Sequence, residues 1–145
     1  MSIKVLVIST WYPTNTSSSG TFVEMLSLGL KNGGVQVDTL LHNYYTISQY
    51  FRLSKPKYKK DKKLSFIHLN TILIPFSSER IQKMTILWTI YLKLKIKYFF
   101  TKKPDLIHHH GCLDKCYITN FLSRKFQTPY IYTEHSPFKS FKSVS

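Results

Sequence analysis

Cysteine is scarce in this 145-residue sequence, which has only Cys112 and Cys116. So few cysteines exclude a disulfide framework and suit a reducing compartment. The apolar part of the N-terminus is too short for a signal peptide, and no small-residue cleavage site follows it. The most apolar stretch, Met84 to Phe100, is interrupted by lysines, whereas a membrane span needs about 20 apolar residues. We expect a cytoplasmic protein that can lie on the inner face of the membrane.

Acidic residues are also few: seven Asp and Glu stand against 21 Lys and Arg, so the formal net charge is +14. Such a balance favours an anionic partner, which could be nucleic acid, acidic lipid or a phosphorylated substrate. Hydrophobic residues make up 43% of the chain, which argues against a disordered tail. The length fits one domain.

Two nucleotide-binding motifs are missing. No G-x-G-x-x-G follows the first apolar run, and no G-x-x-x-x-G-K-[ST] occurs in the sequence. Both motifs place glycines where a backbone must approach phosphate closely. Their absence argues against a dinucleotide oxidoreductase and against a P-loop NTPase.

Apolar runs and helical patterns alternate along the chain. β-Branched, apolar runs predict five strands, at Ile3–Ser9, Val35–Leu41, Leu64–Leu69, Leu106–His109 and Tyr130–Thr133. Helices are predicted from Thr21 to Gly33, from Ser78 to Thr101 and from Leu113 to Phe126. The alternation predicts an α/β fold with a doubly wound, mostly parallel Rossmann-like sheet, in one domain over residues 1–145.

The first helix has a predicted start and a predicted buried face. Thr21 followed by Glu24 fits a capping box with Thr21 as the N-cap. An apolar face is predicted on one side of this helix, formed by Phe22, Met25, Leu26 and Leu30.

A segment at about 43–63 breaks the α/β pattern, being aromatic first and then rich in lysine. This segment is either an ordinary solvated loop or a surface that contacts a membrane or an anionic acceptor. The lysines predicted to make that contact are Lys57, Lys59, Lys60, Lys62 and Lys63. In the helix that follows, Lys83, Lys93 and Lys97 share one side, with Trp88 and Tyr91 nearby. This side is compatible with lying on an acidic membrane, and the alternative is an ordinary crossover helix whose apolar surface covers the sheet.

Three segments follow strand ends and should meet at one rim of the sheet: 10–20, 107–111 and 133–136. Gly20 opens a helix, where bare amides and the helix dipole attract phosphate, although a glycine in a serine-rich turn is also ordinary. Alternation along a strand places His108 and His110 on one side and His109 on the other. Such histidines can donate to phosphate or sugar hydroxyls, or can be merely exposed or core-capping.

Two further groups lie close to this rim. Cys112 and Cys116 invite a zinc site, but the C-x-x-x-C spacing is poor and no second ligand pair follows, so we expect no metal. His135 and Glu134 follow the fifth strand, where either could contact a sugar or act as acid or base. Glu134 could equally bond a backbone amide.

Several of these segments resemble retaining GT-B glycosyltransferases of the large family 4 group. Residues 103–111 (KPDLIHHHG) resemble that family's PD-(hydrophobic)-IH-x-HG segment, and 128–136 (TPYIYTEHS) resemble the (I)P-hydrophobic-x-T-x-H segment that follows it. Residues 9–13 and 19–23 resemble a YP…GTFV loop and helix, and 30–37 the helix-to-strand turn after it. The match covers nearly all of the chain apart from the segment 43–63.

The resemblance implies two Rossmann-like domains, of which this chain is the N-terminal, acceptor-binding one. His135 matches the histidine that touches the transferred sugar and is the expected catalytic residue. The implied substrate-binding residues are Gly20, Thr21, His108, His110, Gly111 and Glu134. No metal or cofactor is implied, and the nucleotide-sugar donor binds mainly the other domain. The chain departs from the family pattern at Ser19, where many members have glycine, and at His109, where the residue is usually small.

We therefore expect the acceptor-binding half of a glycosyltransferase of hexosyltransferase type, acting on a surface-polysaccharide or polyprenyl-linked acceptor and inactive without its donor half. Partners would be the nucleotide-sugar donor, the acceptor and an acidic membrane surface, and not nucleic acid. The alternative is a non-catalytic, basic Rossmann-like module that binds nucleic acid or acidic membrane. That alternative explains the charge directly, but it does not explain the three rim segments.

Overall fold

The fold is taken from a computed structural model of the chain. It describes residues 2–9, 11–13, 18–45, 64–72, 77–111 and 116–134, with the backbone alone at 43–45, 70–72 and 116. In chain order the elements are β1 (Lys4–Ser9), α1 (Thr21–Asn32), β2 (Gln36–Tyr45), β3 (Ser65–Ile72), α2 (Glu79–Lys97), β4 (Leu106–Gly111), α3 (Cys116–Phe126) and β5 (Tyr130–Glu134).

The strands form one sheet in the order β3-β2-β1-β4-β5, and every pairing in it is parallel. The predicted doubly wound α/β fold is thus confirmed. The chain moves outward from β1 to β3, and α2 then returns it to β4 on the other side of β1. The strand order therefore reverses between β1 and β4, which is where sheets of this class bind their ligands.

Side chains from the two faces of β1 begin two separate apolar clusters. Leu6 and Ile8 pack with α2 and α3 on one face, while Val5 and Val7 pack with Val23 of α1 on the other. β1 is buried along its whole length, because it lies in the middle of the sheet with helices on both sides. This explains why its sequence is a continuous apolar run rather than an alternating one.

The start and the buried face of α1 differ from the prediction. Its N-cap is Gly20, and no side chain caps the first turn. The hydroxyl of Thr21 instead donates to the carbonyl of Ser18, so the predicted capping box is wrong. The face turned to the sheet carries Val23 and Ser27, and Leu30 packs against the same cluster as predicted, whereas Met25 is 68% exposed. Fully buried Ser27 is small, which lets the helix approach the sheet closely.

α2 begins as predicted, since the side chain of Ser78 accepts a hydrogen bond from the amide of Ile81. It ends at Lys97, four residues before the predicted Thr101. The next residue, Tyr98, is buried and its hydroxyl donates to Asp38 of β2 at 3.1 Å. That long-range bond draws the end of the helix onto the sheet.

The lysines predicted to form a membrane-facing side of α2 point the other way in two cases. Lys93 donates to the carbonyl of His68 in β3, and Lys97 pairs with Asp38 at 3.0 Å. Both side chains bind the sheet, so the predicted basic face is wrong at these positions. The outer side of α2 carries large, exposed apolar side chains instead.

Asp38 forms ion pairs with two lysines near the amino ends of the strands. Lys4 lies 3.3 Å from one of its oxygens and Lys97 lies 3.0 Å from the other. Burial alone raises the pKa of this carboxyl, but hydrogen bonds from Ser65 and Lys97 with the charges of Lys97 and Lys4 outweigh it, and the pKa is held below its usual value. Burial raises the pKa of Tyr98, and the charge of the Asp38 carboxylate and its hydrogen bond raise it further.

Several strands run further than predicted. β2 continues to Tyr45, β3 to Ile72 and β4 to Gly111. The extension of β2 includes residues 43–45, which begin the predicted insert at about 43–63. The rest of that insert lies outside the described residues. The extended strands carry their carboxyl ends towards the predicted rim.

Candidate functional site

The carboxyl ends of β1 and β4 lie side by side at the point where the strand order reverses. Val7 is level with His108, and Ser9 is level with His110. Since neighbouring parallel strands at the same level turn their side chains to the same face, Ser9 and both histidines lie on the side of the sheet that α1 covers. The carboxyl ends of β1 and β4 are thus brought together as the sequence predicts.

At Gly20 the start of α1 packs closely against the backbone that follows β1. The φ of Gly20 is +82°, and an added Cβ would lie 2.5 Å from the carbonyl carbon of Trp11. The loop after β1 therefore rests directly on the start of α1. Only glycine fits, because both the left-handed backbone and the missing side chain are needed.

The start of α1 faces the ends of β1 and β4 with no side-chain cap. The amides of Val23 and Glu24 bond the carbonyl of Gly20, as ordinary first-turn bonds. The dipole of a twelve-residue helix then adds partial positive charge at this end. The dipole favours an anion or a phosphate group, although the amide of Thr21 already bonds the carbonyl of Ser18 and Glu24 places a carboxylate in the first turn.

His108 and His110 form a ring pair beside that helix start. Their ring centroids are 4.1 Å apart, and Nε2 of His108 lies 2.9 Å from Oγ1 of Thr133 in β5. The ring of Phe22, in the first turn of α1, lies 5.7 Å from that of His110. Imidazole nitrogens can donate to phosphate or sugar oxygens and gain charge near neutral pH, so the pair suits an anionic or hydroxylated ligand.

His109 faces the opposite side, which confirms the predicted alternation. Its Nδ1 lies 2.5 Å from Oγ1 of Thr119 in α3, and its ring packs edge-on against Tyr132 at 5.3 Å. A Cβ at Gly111 would lie 3.0 Å from Nε2 of His109. Gly111, predicted to bind substrate, thus also has a packing reason to be glycine.

Two other predicted substrate-binding residues lie apart from the histidine pair. Glu134 is level with Gly111 and accepts a hydrogen bond from the hydroxyl of Tyr132 at 3.2 Å, on the side of the sheet occupied by His109. Thr21 is exposed at the start of α1, with its hydroxyl engaged by Ser18. The structure therefore groups Gly20, His108 and His110, and leaves Glu134 on the other face.

Some predicted residues lie outside the described part of the chain. These are the expected catalytic residue His135 and the expected membrane-contact residues Lys57, Lys59, Lys60, Lys62 and Lys63. Their assignments stay predictions.

Thr133 and Phe22 also contact the histidine pair; the sequence places Thr133 in the predicted rim segment 133–136 but predicts a substrate-binding role for neither residue. Thr133 joins the pair because β5 is level with β4 in the sheet, a register that the sequence does not reveal. Phe22 was predicted to be part of the buried face of α1, yet it is 38% exposed beside His110. The G-T-F-V run that carries the resemblance was the available signal for Phe22.

Metal binding gains no support from the arrangement of side chains. Among the residues whose side chains the structure describes, no three His, Cys, Asp or Glu side chains lie close enough together to hold an ion. Cys112 lies outside those residues, and Cys116 is described by its backbone alone.

Comparison with known proteins yields relatives of fold only. No family model and no curated protein matches the chain. Two solved structures of the C-terminal domain of PF1911 hydrogenase from Pyrococcus furiosus are similar to it. One structure, of residues 78–226, has a TM-score of 0.55 at 14% identity. The match covers 90% of this chain and 89% of the hydrogenase domain. The other, of residues 83–215, has a TM-score of 0.57 at 12% identity, with coverage of 90% and 91%. Identities this low support a shared α/β architecture and nothing about chemistry.

Proposed function

We propose that this chain is the acceptor-binding half of a glycosyltransferase that moves a sugar from a nucleotide-sugar donor to a polyprenyl-linked or surface-polysaccharide acceptor. The observation that carries the proposal is that His108 and His110 pair beside the first turn of α1, which Gly20 opens, where the strand order reverses between β1 and β4. Three of the segments that resemble the family contribute residues to this rim, namely Gly20, the pair His108 and His110, and Thr133.

Different residues of the rim would bind different parts of the acceptor. The start of α1, opened by Gly20, would hold the phosphate of a lipid-linked acceptor. His110 and His108 would donate to its phosphate oxygens or to a sugar hydroxyl. The net charge of +14 would raise the local concentration of such anionic ligands. Turnover would need the donor-binding half, which supplies the electrostatic stabilisation of the reacting phosphate.

A binding measurement tests the acceptor side directly. Farnesyl diphosphate, a short and water-soluble polyprenyl diphosphate, is titrated into the chain by calorimetry. We expect binding that His110→Gln weakens about tenfold, equivalent to about 1.4 kcal/mol. Tyr130→Ala is the control, because Tyr130 is exposed at the amino end of β5, away from the rim. Equal binding by the wild type and His110→Gln would contradict the proposal.

The high positive charge also favours a second candidate, a non-catalytic module that binds nucleic acid. Oligonucleotide binding at matched salt separates the two functions. Tight binding of an oligonucleotide with a steep salt dependence, together with no binding of farnesyl diphosphate, would support the second candidate.

A further inference from the structure

The outer side of α2 carries a line of large apolar side chains that nothing in the described structure covers. Its members, here called the outer stripe, are Ile81, Met84, Trp88, Leu92, Ile96, Phe99 and Phe100, each between 42% and 89% exposed. Steps of three or four residues align the helical members along one side of a helix. The line from Ile81 to Ile96 is about 22 Å long at 1.5 Å per residue.

The outer stripe is distinct from the side of α2 that builds the core. Ile86, Leu87, Ile90 and Leu94 are buried against the sheet and α3. The helix is thus apolar on two opposite sides, of which the fold uses one. Single exposed apolar residues are common on protein surfaces, but an aligned row of them marks an interaction surface.

Two lysines lie beside the outer stripe. Lys125 of α3 lies 5.2 Å from the ring centre of Trp88, and Lys95 lies 5.9 Å from that of Tyr91. Apart from Glu79, which pairs with Lys83, the charged residues of α2 and α3 are all basic. A partner must therefore be apolar where it meets the stripe and anionic around it.

An anionic lipid surface has both properties. No helix in the described ranges is long and apolar enough to cross a membrane, whereas a helix with an apolar side flanked by lysines suits the plane of the interface. A second copy of the chain would bring another +14 of charge against this one. Nucleic acid would not bury the aliphatic side chains of Ile81, Leu92 and Ile96.

We propose that the outer stripe of α2 is a docking surface for an anionic membrane, with its apolar side chains entering the interface and the flanking lysines meeting the headgroups. This surface lies on the helix side of the sheet that carries α2 and α3, and it is independent of the rim site. The predicted lysines of the segment 43–63 would add attraction, but they are not needed for the apolar insertion.

Vesicle flotation of the full chain tests this surface. Vesicles of phosphatidylcholine alone are compared with vesicles containing about one-third phosphatidylglycerol. We expect the chain to float with the anionic vesicles only, and the pair Leu92→Ser and Ile96→Ser to lower partitioning by at least about tenfold, because two large apolar side chains no longer enter the interface. The matched control is the pair Ile3→Ser and Met25→Ser, which removes two equally exposed apolar side chains elsewhere and should leave partitioning unchanged.

Tryptophan fluorescence supplies a readout that does not depend on the serine variants folding well. In Trp11→Phe, Trp88 is the remaining tryptophan, and lipids brominated in the acyl chain should quench its emission. Flotation without quenching would overturn the proposal, since the chain would then bind through another surface. So would a failure to float, or a concentration-dependent dimer in lipid-free solution that the pair Leu92→Ser and Ile96→Ser abolishes. Farnesyl diphosphate binding is unaffected by any of these outcomes, so the two proposals fail separately.

Discussion

Gly20 and Gly34 have the same backbone conformation, with φ at +82°, but different surroundings. An added Cβ at Gly20 would meet the backbone of Trp11 at 2.5 Å, whereas at Gly34 it would meet nothing within 4 Å. Gly34→Ala should therefore cost about 1–2 kcal/mol from the left-handed backbone alone. Gly20→Ala should cost a further 1–3 kcal/mol, roughly, from overpacking.

Urea denaturation of both variants measures this difference through the shift in midpoint at constant slope. Similar losses for the two variants would mean that the loop after β1 does not rest on Gly20. The start of α1 would then not be packed against the loop after β1.

Ser27 offers a stabilising change. Its side chain is fully buried under α1, and its hydroxyl has no hydrogen-bond partner among the described residues. Ser27→Ala removes an unsatisfied buried group and should raise the free energy of unfolding by about 1 kcal/mol.

Part of any gain from Ser27→Ala would come from the helix propensity of alanine. Thr85→Ala in α2 is the comparison, because it also introduces alanine in place of a hydroxyl-bearing helical residue, but at an exposed position. A gain in thermal stability from Ser27→Ala no greater than that from Thr85→Ala would contradict the buried, unsatisfied state of Ser27.

At the scale of elements, Asp38 links β2 to β1 and to the end of α2 through Lys4, Lys97 and Tyr98. Asp38→Asn should lower the free energy of unfolding by about 3 kcal/mol near neutral pH, because it leaves Lys4 and Lys97 without their buried partner. Glu79→Gln, which removes an exposed ion pair with Lys83, should change stability little.

The loss from Asp38→Asn should depend on pH in a defined direction. The folded-state pKa of Asp38 is lowered below 3.8, so its contribution is fully present above that unfolded value and is lost as the pH falls through the folded pKa. Denaturation at a series of pH values should show the wild type and Asp38→Asn converging below about pH 4. A difference that stays constant to lower pH would rule out a charged Asp38 as the source.

The elements themselves were predictable, because β-branched runs and helical periods alternate clearly in the sequence. The ends of these helices and strands were harder to predict, since they depend on contacts with residues far away in the sequence. α2 ends early because Tyr98 bonds Asp38, 60 residues away. The buried face of α1 is set by Val23 and Ser27 rather than by the larger Phe22 and Met25, since a small residue allows the helix closer to the sheet.

At the scale of the whole molecule, parallel strands explain how distant segments meet. The alternation of strands and helices predicts that Gly20 and the histidines of β4 share one rim, and the strand order places them together. The split of the site residues between two faces was only partly predictable. Alternation gives the opposite directions of His109 and His110, but the position of Glu134 follows from the register of β5 with β4.

The three consecutive histidines of β4 provide an internal control for a test of the ligand site between β1 and β4. The ¹⁵N-labelled chain is titrated with farnesyl diphosphate while the imidazole resonances of His108, His109 and His110 are followed by NMR. We predict that the resonances of His108 and His110 shift together, while those of His109, bonded to Thr119 on the other face, stay in place. Shifts of His109 alone, or no shift in any of the three, would contradict a ligand site at this rim.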